Sequence, residues 1–393
     1  MDAFMEFKFG NLKIIFGPGA KSSIKKVLSG VQGIRPVILT DRNLRETNAF
    51  KSFTDGLVND GIAFEVFSDI QSDPSETQVY EAKIFALNHQ CDSVIAFGGG
   101  SILDSAKCVA FAMSNDIDLM DLSNKKSPAL GSVYQKRKPL ICVPTTSGTG
   151  SEMNSYAVIK QASTHMKMTL IHEDLLADYA IEDPKLTLDL PLNITGQTSI
   201  DALTHCIEGY VSTKFTGNNL FVKALAIEGI STIIPALEAI IDNPRSLDLR
   251  TDLLWGSLLG GIVLQYGSGL THGIANTIGS YYNAPHGYVI SKLLVDVLTF
   301  NRTIASEKFM VIAESLAIQG KDENETIDRF IDRIKKVIAR FNFASLTKIG
   351  LTETDFPKII ETSLADKCTK YNPRKVEPKD IDVILDHLIQ EKI

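Results

Sequence analysis

The stretch Val94-Ile-Ala-Phe-Gly-Gly-Gly-Ser101, continued by Ile102-Leu-Asp-Ser-Ala-Lys107, decides the reading of the N-terminal half. A short apolar run with strand character ends in three consecutive glycines, and an amphipathic helical pattern begins at once. Glycine reaches positive φ and lets a ligand approach the backbone closely. The first N–H groups of the helix, at the positive end of its dipole, then face an anion such as a phosphate. Ser101 is placed to cap this helix, and Asp104, three residues on, to complete a capping box. The competing reading is a tight strand-to-helix turn that binds nothing; three glycines in a row weigh against it. The turn is not G-x-G-x-x-G, so it fits a nucleotide without naming one.

Working outward, residues 12–16, 37–40, 63–67, 93–97 and 140–143 read as short strands, with amphipathic stretches such as 76–88 and 101–113 between them. Strand–helix alternation predicts a parallel sheet covered on both faces. After about residue 189 strand runs stop. Helical patterns take over at 199–213, 218–242, 250–267, 307–318 and 324–341. We therefore expect an α/β dinucleotide-binding domain over 1–189 and an all-α domain over 190–393.

The whole-chain properties agree with that division. A chain of 393 residues exceeds one ordinary core. Lys plus Arg is 40 and Asp plus Glu is 47, a net charge of −7, which argues against a broad nucleic-acid surface. The five cysteines, Cys91, Cys108, Cys142, Cys206 and Cys368, are scattered and never spaced C-x-x-C. They read as free thiols of a reducing compartment, neither a disulfide framework nor a thiolate zinc site. The first ten residues lack a signal-peptide pattern. The apolar run 253–264 falls short of the roughly 20 residues a bilayer needs and reads as a buried helix. A cytoplasmic protein without a membrane partner is the expectation.

Two further features carry chemistry. Pro144-Thr-Thr-Ser-Gly-Thr-Gly-Ser-Glu152 follows a strand and offers hydroxyls and backbone N–H groups at the sheet edge where open α/β sheets bind ligands. Asp41 ends the strand at 37–40. There it is either an acceptor for the ribose hydroxyls of NAD, repelling the extra phosphate of NADP, or a helix N-cap. In the helical half, Asp201 and His205 stand at i and i+4 and share one face of a predicted helix. A pair so placed either binds a cation or makes a local hydrogen bond. His272 and His286 lie beside glycines, where backbones approach closely. His89, His165, His172 and His387 lie in charged or polar surroundings and read as surface residues or residues of minor role. One carboxylate with three imidazoles would suit Fe2+ or Zn2+ better than Mg2+ or Ca2+. Spacing alone does not join the four.

Along essentially its whole length the chain resembles the iron-containing (group III) alcohol dehydrogenase family. The motifs that carry the likeness are Phe97-Gly-Gly-Gly-Ser101 with Asp104 and Lys107, the turn 144–152, Asp183-Pro-Lys-Leu-Thr187, Asp201-Ala-Leu-Thr-His-Cys-Ile-Glu208, Asn283-Ala-Pro-His-Gly287 and Tyr371-Asn-Pro-Arg374. The resemblance implies a dehydroquinate synthase-like architecture, with the active site in the cleft between an N-terminal dinucleotide-binding domain and a C-terminal helical domain. It implies Asp201, His205, His272 and His286 as metal ligands. It implies cofactor contacts from Asp41, Asp73, Gly99, Gly100, Ser101, Thr145, Thr146, Tyr156 and Lys167. It implies hydride transfer between NAD(H) and a small primary alcohol, diol or hydroxy acid, in a homodimer or larger homo-oligomer.

One position departs from the family pattern. Where relatives often read H-x-x-x-H, this chain has His272-Gly-Ile-Ala-Asn276. Asn276 forms hydrogen bonds but exchanges no proton near neutral pH, so it is not expected to relay a proton. Asn276 is still the expected catalytic-site residue, with Asn154 and Tyr282 beside it in the substrate pocket. The alternatives are a lyase resembling dehydroquinate synthase that uses NAD transiently, and a non-catalytic binding protein on the same fold. The fourth ligand and the turn 144–152 favour the dehydrogenase.

Overall fold

The computed structural model describes residues 4–123, 134–164, 166–214 and 219–390. The expected helix start at Asn218 and the surface role of His165 lie outside these residues. The chain divides into two compact units, Met1–Thr146 with Gly150–Leu190, and Ser147–Thr149 with Pro191–Ile393.

Among its described residues the first unit holds nine strands: β1 (Met5–Phe9), β2 (Leu12–Phe16), β3 (Pro36–Leu39), β4 (Glu65–Phe67), β5 (Ser93–Gly98), β6 (Leu140–Pro144), β7 (Tyr156–Lys160), β8 (Lys167–Ile171) and β9 (Tyr179–Glu182). Seven form one sheet in the order β1-β2-β9-β6-β5-β3-β4. Every pairing in it is parallel except β1 with β2. The expected parallel sheet therefore carries an antiparallel edge. The strand expected at 63–67 shortens to three residues. β7 and β8 form a separate antiparallel hairpin. Every residue of β3, β5 and β6 is buried, which explains their continuous apolar runs in place of alternation.

The helices of this unit are α1 (Ile24–Gly30), α2 (Arg42–Arg45), α3 (Asn48–Asn59), α4 (Glu76–Asn88) and α5 (Gly100–Ala112). α3 buries Phe50, Phe53 and Leu57, and both phenylalanine rings pack on Phe97 of β5. From β3 the chain steps outward to β4, then returns to β5 on the other side of β3 and continues to β6. The strand order thus reverses between β3 and β5. Ligands of open α/β sheets bind beyond the carboxyl ends of strands at such a point. Asp41 follows β3, and the three glycines close β5.

The second unit is all helix among its described residues: α6 (Leu192–Val211), α7 (Leu220–Ile240), α8 (Leu247–Leu264), α9 (Leu270–Tyr282), α10 (His286–Asn301), α11 (Ser306–Ser315), α12 (Glu323–Arg340), α13 (Phe356–Ala365), α14 (Lys367–Lys370) and α15 (Pro378–Gln390). α6 lies in the middle, packed by α7, α8 and α10. It is buried on most of its circumference, and the buried residues include the polar Asp201, Thr204, His205 and Glu208 as well as Ile200, Leu203 and Ile207. α12 is the opposite case: Ile327, Phe330, Ile331, Ile334 and Val337 form one apolar stripe on a charged helix. The most apolar long helix is α7, not the run at 253–264. α7 is long and apolar enough to cross a bilayer, yet Ala226, Ile230, Ile233, Ile234 and Leu237 lie in the core with α6 and α8. It is a core helix of this unit.

Candidate metal and cofactor sites

Helical periodicity builds the first site. Asp201 and His205 project from one face of α6, and Glu208 continues that face at i+7. α9 supplies His272 from its first turn, and α10 begins with His286. Gly287 makes that placement possible, because a Cβ there would run into the backbone of Gln197 on α6. Three imidazole nitrogens surround one carboxylate oxygen, Asp201 Oδ1. His272 Nε2 lies 3.5 Å from it, and the Nε2 atoms of His205 and His286 each 3.7 Å. Asp201, His272 and His286 present donor atoms within 4.8 Å of one another. His205 sits beside this set, its ring stacked on His272 with centroids 4.7 Å apart.

The environment fits a cation. Asp201 Oδ1 and His272 Nε2 are buried and have no hydrogen-bond partner, an arrangement that is costly unless something positive is held there. Burial alone would raise the Asp201 carboxyl, but the surrounding imidazoles hold it far below the usual carboxylate range. Burial pushes His205 down to about 4. For His272 burial is outweighed by the neighbouring Asp201 and Glu208 carboxylates, which lift it to about 10. The side chains of Asp201, His205 and His272 are 4–5% exposed and that of His286 33%, so the cluster is reached from the His286 side.

Glu208 is the functional residue that sequence reasoning passed over. Its Oε2 accepts from His272 Nδ1 at 2.7 Å, from Gly269 N at 2.7 Å and from Ser268 Oγ at 3.0 Å; its Oε1 accepts from Thr271 N at 2.7 Å. One carboxylate thus caps the start of α9 and fixes the His272 ring with Nε2 directed at Asp201. Despite complete burial, these bonds hold the Glu208 carboxyl below its ordinary value. Gly269 is required at that cap, since a Cβ would stand 2.9 Å from the Glu208 carboxylate. The signal was available: i, i+4 and i+7 from Asp201 is one helix face.

The second site is built on turns. Gly98 has φ +159, a value open to glycine, and Gly99 is the N-cap of α5. Ser101 is not the cap: it lies inside the first turn, and no side chain caps this helix. That leaves its N-terminal N–H groups for a ligand. Asp104 forms no capping box. It accepts from Ser151 Oγ and Val158 N and pairs with the buried ammonium of Lys107. Lys107 also donates to Ser151 Oγ, Asn154 Oδ1 and the carbonyl of Tyr156. This network ties α5 to the turn at 144–152 and to β7. Asn154 is a buried member of the network, its Oδ1 accepting also from Tyr156 N.

The expected cofactor residues divide. Gly99 lies against the Thr146 side chain, and Thr145 N bonds the carbonyl of Gly98 at 3.2 Å. Asp73 N donates to Ser101 Oγ at 3.4 Å, and Lys167 Nζ meets Asp73 Oδ1 at 2.6 Å. Gly99, Gly100, Ser101, Asp73, Lys167, Thr145 and Thr146 therefore surround one turn. Tyr156 starts β7, whereas Lys167 pairs with Lys160 at the hairpin's other end, so the two do not come together. Asp41 caps α2, accepting from Leu44 N at 2.9 Å through Oδ1. That settles its N-cap role.

Comparison with known proteins places this geometry. Residues 11–184 match the family described as iron-containing alcohol dehydrogenase, and residues 195–389 match the C-terminal part of the Fe-containing alcohol dehydrogenase family. A relative named "Probable alcohol dehydrogenase EutG" in Escherichia coli (strain K12) is 33% identical over 369 residues, spanning 93% of this chain and 90% of its own. The NAD-dependent methanol dehydrogenase of Bacillus methanolicus is 29% identical over 375 residues, spanning 94% and 96%. Among solved structures, a 1,3-propanediol oxidoreductase superposes with a TM-score of 0.89 at 28% identity, covering 99% of this chain and 100% of that one. The chain belongs to the iron-containing alcohol dehydrogenase family.

Proposed function

We propose that the protein is a metal- and NAD-dependent alcohol dehydrogenase, working also as an aldehyde reductase on small alcohols or diols. The observation that carries the reading is the buried convergence of His205, His272 and His286 on Asp201 Oδ1, with Glu208 fixing His272 from behind. Asp201, His205, His272 and His286 would hold the cation. Fe2+ and Zn2+ both suit a set of one carboxylate and three imidazoles.

When bound, the cation supplies Lewis acidity toward an alcohol or carbonyl oxygen and the nicotinamide accepts or delivers a hydride. The chain's own residues bind and orient. The N-terminus of α5, with Gly99, Gly100 and Ser101, faces the cofactor pyrophosphate, and Thr145 and Thr146 flank it. Asp41 Oδ2 takes the ribose hydroxyls and disfavours NADP. Asp73, held by Lys167, lines the same turn. Tyr156, at the far end of the hairpin, is the weakest member of the set. Asn276 touches the substrate. The free cysteines support a reducing, cytoplasmic setting, and the family likeness supports a homodimer or larger homo-oligomer.

The test is to strip the purified protein with a chelator, reload it with Fe2+ or Zn2+, and follow NADH formation on primary alcohols and diols. Turnover that disappears with the metal and returns on reloading is the expected result. Equal turnover by the stripped protein contradicts the proposal, as would bound NAD that is reduced and reoxidised without net NADH release.

A further inference from the structure

Between Thr271 and Gly279 on α9, Asn276 is the one residue that is not buried. It stands four residues beyond His272, so the two side chains are neighbours on one helix face with Cβ atoms about 5–6 Å apart. Its amide nitrogen donates to Asp366 Oδ2 at 3.4 Å and to Cys368 Sγ at 3.9 Å. A carboxylate can only accept. The NH2 group must therefore face Asp366, which turns the carbonyl oxygen of Asn276 away from it. Asp366 is itself fixed, since its Oδ1 caps α14 by accepting from Cys368 N at 2.7 Å. α14 packs closely because Gly273 has no Cβ to strike Thr369. The amide is thus held from behind in one orientation, one helical turn from a metal ligand and on the accessible part of α9.

We infer that Asn276 is a fixed hydrogen-bond acceptor beside the metal centre, selecting substrates that carry a second hydroxyl and disfavouring hydroxy acids. The inference rests on the dehydrogenase reading above and specifies its substrate class. A second hydroxyl, one or two carbons from the reacting one, donates to Asn276 Oδ1. A monoalcohol leaves that acceptor without a partner from the substrate. A carboxylate at the same place has no proton to give and meets both the amide oxygen and the Asp366 charge behind it. A site built to bond a hydroxyl discriminates against analogues that lack one far more strongly than an apolar pocket discriminates by size.

The experiment measures kcat/KM of the metal-loaded enzyme for propane-1,3-diol, 1-propanol and 3-hydroxypropanoate, in the wild type, Asn276→Leu and Asp366→Asn. The wild type is expected to favour the diol. Asn276→Leu should lower the diol-to-1-propanol ratio by about tenfold or more, with a matching rise in the dissociation constant of the diol measured by calorimetry. Asp366→Asn, which lets the Asn276 amide turn over, should move the ratio the same way by a smaller factor. Metal content and melting temperature monitor the fold of each variant. An unmoved ratio in Asn276→Leu, or a wild type that prefers 3-hydroxypropanoate, overturns the inference while leaving the dehydrogenase standing. A metal-loaded wild type that reduces NAD+ with none of the three, nor with any other alcohol of a primary-alcohol and diol panel, overturns both.

Discussion

The two units place functional groups by different means. In the helical unit the donors are side chains in regular helices: Asp201 and His205 on α6, His272 on α9, His286 on α10. Their positions follow from helix period and close packing, and one carboxylate, Glu208, both caps α9 and aims a donor. In the α/β unit the groups are on turns at strand ends, and a buried cation, Lys107, holds those turns together from below. The first unit offers backbone N–H groups to an anion; the second offers lone pairs to a cation. Each therefore has a different weak point, and substitutions separate them.

The largest effect is expected at the centre of the helical site. Asp201→Ala removes the atom on which three imidazoles converge. Bound metal should fall to background and turnover roughly 1,000-fold, the size of losing several kcal/mol of charge stabilisation. NAD binding, monitored by fluorescence, should be little changed. Loss of NAD binding with the metal would break the division of labour between the units.

Next is the anchor of the other unit. Lys107→Met leaves Asp104, Asn154 Oδ1 and the Tyr156 carbonyl without their cation. Thermal unfolding should show a loss of about 3 kcal/mol, and NAD affinity should fall while metal content holds. Glu208→Gln should follow, weakening metal affinity about 10–100-fold, as loss of a group that orients a ligand does. Metal titration checks it, and unchanged affinity would mean that His272 is oriented by packing alone.

The smallest effect lies in the sheet. Glu182 ends β9, fully buried, with neither carboxylate oxygen hydrogen-bonded. Burial raises it well above its ordinary value, and the nearby Glu152 charge adds to the shift; burial likewise raises Glu152, to about 7. Both acids bind protons more tightly folded than unfolded. Their contribution to stability is complete below the unfolded pKa of about 4.3 and is lost as pH rises, for Glu152 through about 7. Glu182→Gln should therefore raise Tm more at pH 8 than at pH 5, by about 2–4 °C for each kcal/mol recovered. A gain that is the same at both pH values would mean that Glu182 does not titrate on unfolding.

The same contrast explains what the sequence disclosed. Period and spacing revealed α6, α7, α8, α11 and α12 and the Asp201–His205 pair, because i and i+4 share a face wherever a helix forms, but they did not reveal α9, α10 or α13–α15. They did not join His272 and His286, whose convergence depends on how α9 and α10 pack on α6; the family resemblance supplied that. In the α/β part the glycine turn after β5 was legible from residues 94–101. The edge strand β1, half exposed along its length, and the short Ala-containing β9 were not legible, because neither has the continuous β-branched run of β3 or β6. Asp73 with Lys167, and Lys107 with Asn154, are contacts between distant segments that no local pattern announces. Ser101 as a cap failed for a local reason: Gly99 already occupies that place.

The most direct test of the central claim is a crystal of the Fe2+- or Zn2+-loaded protein, with anomalous data collected across the absorption edge of that metal. The account predicts one strong peak bonded to Asp201, His205, His272 and His286, with Glu208 on the far side of the His272 ring. No peak there, or a peak bound elsewhere in the chain, would contradict it.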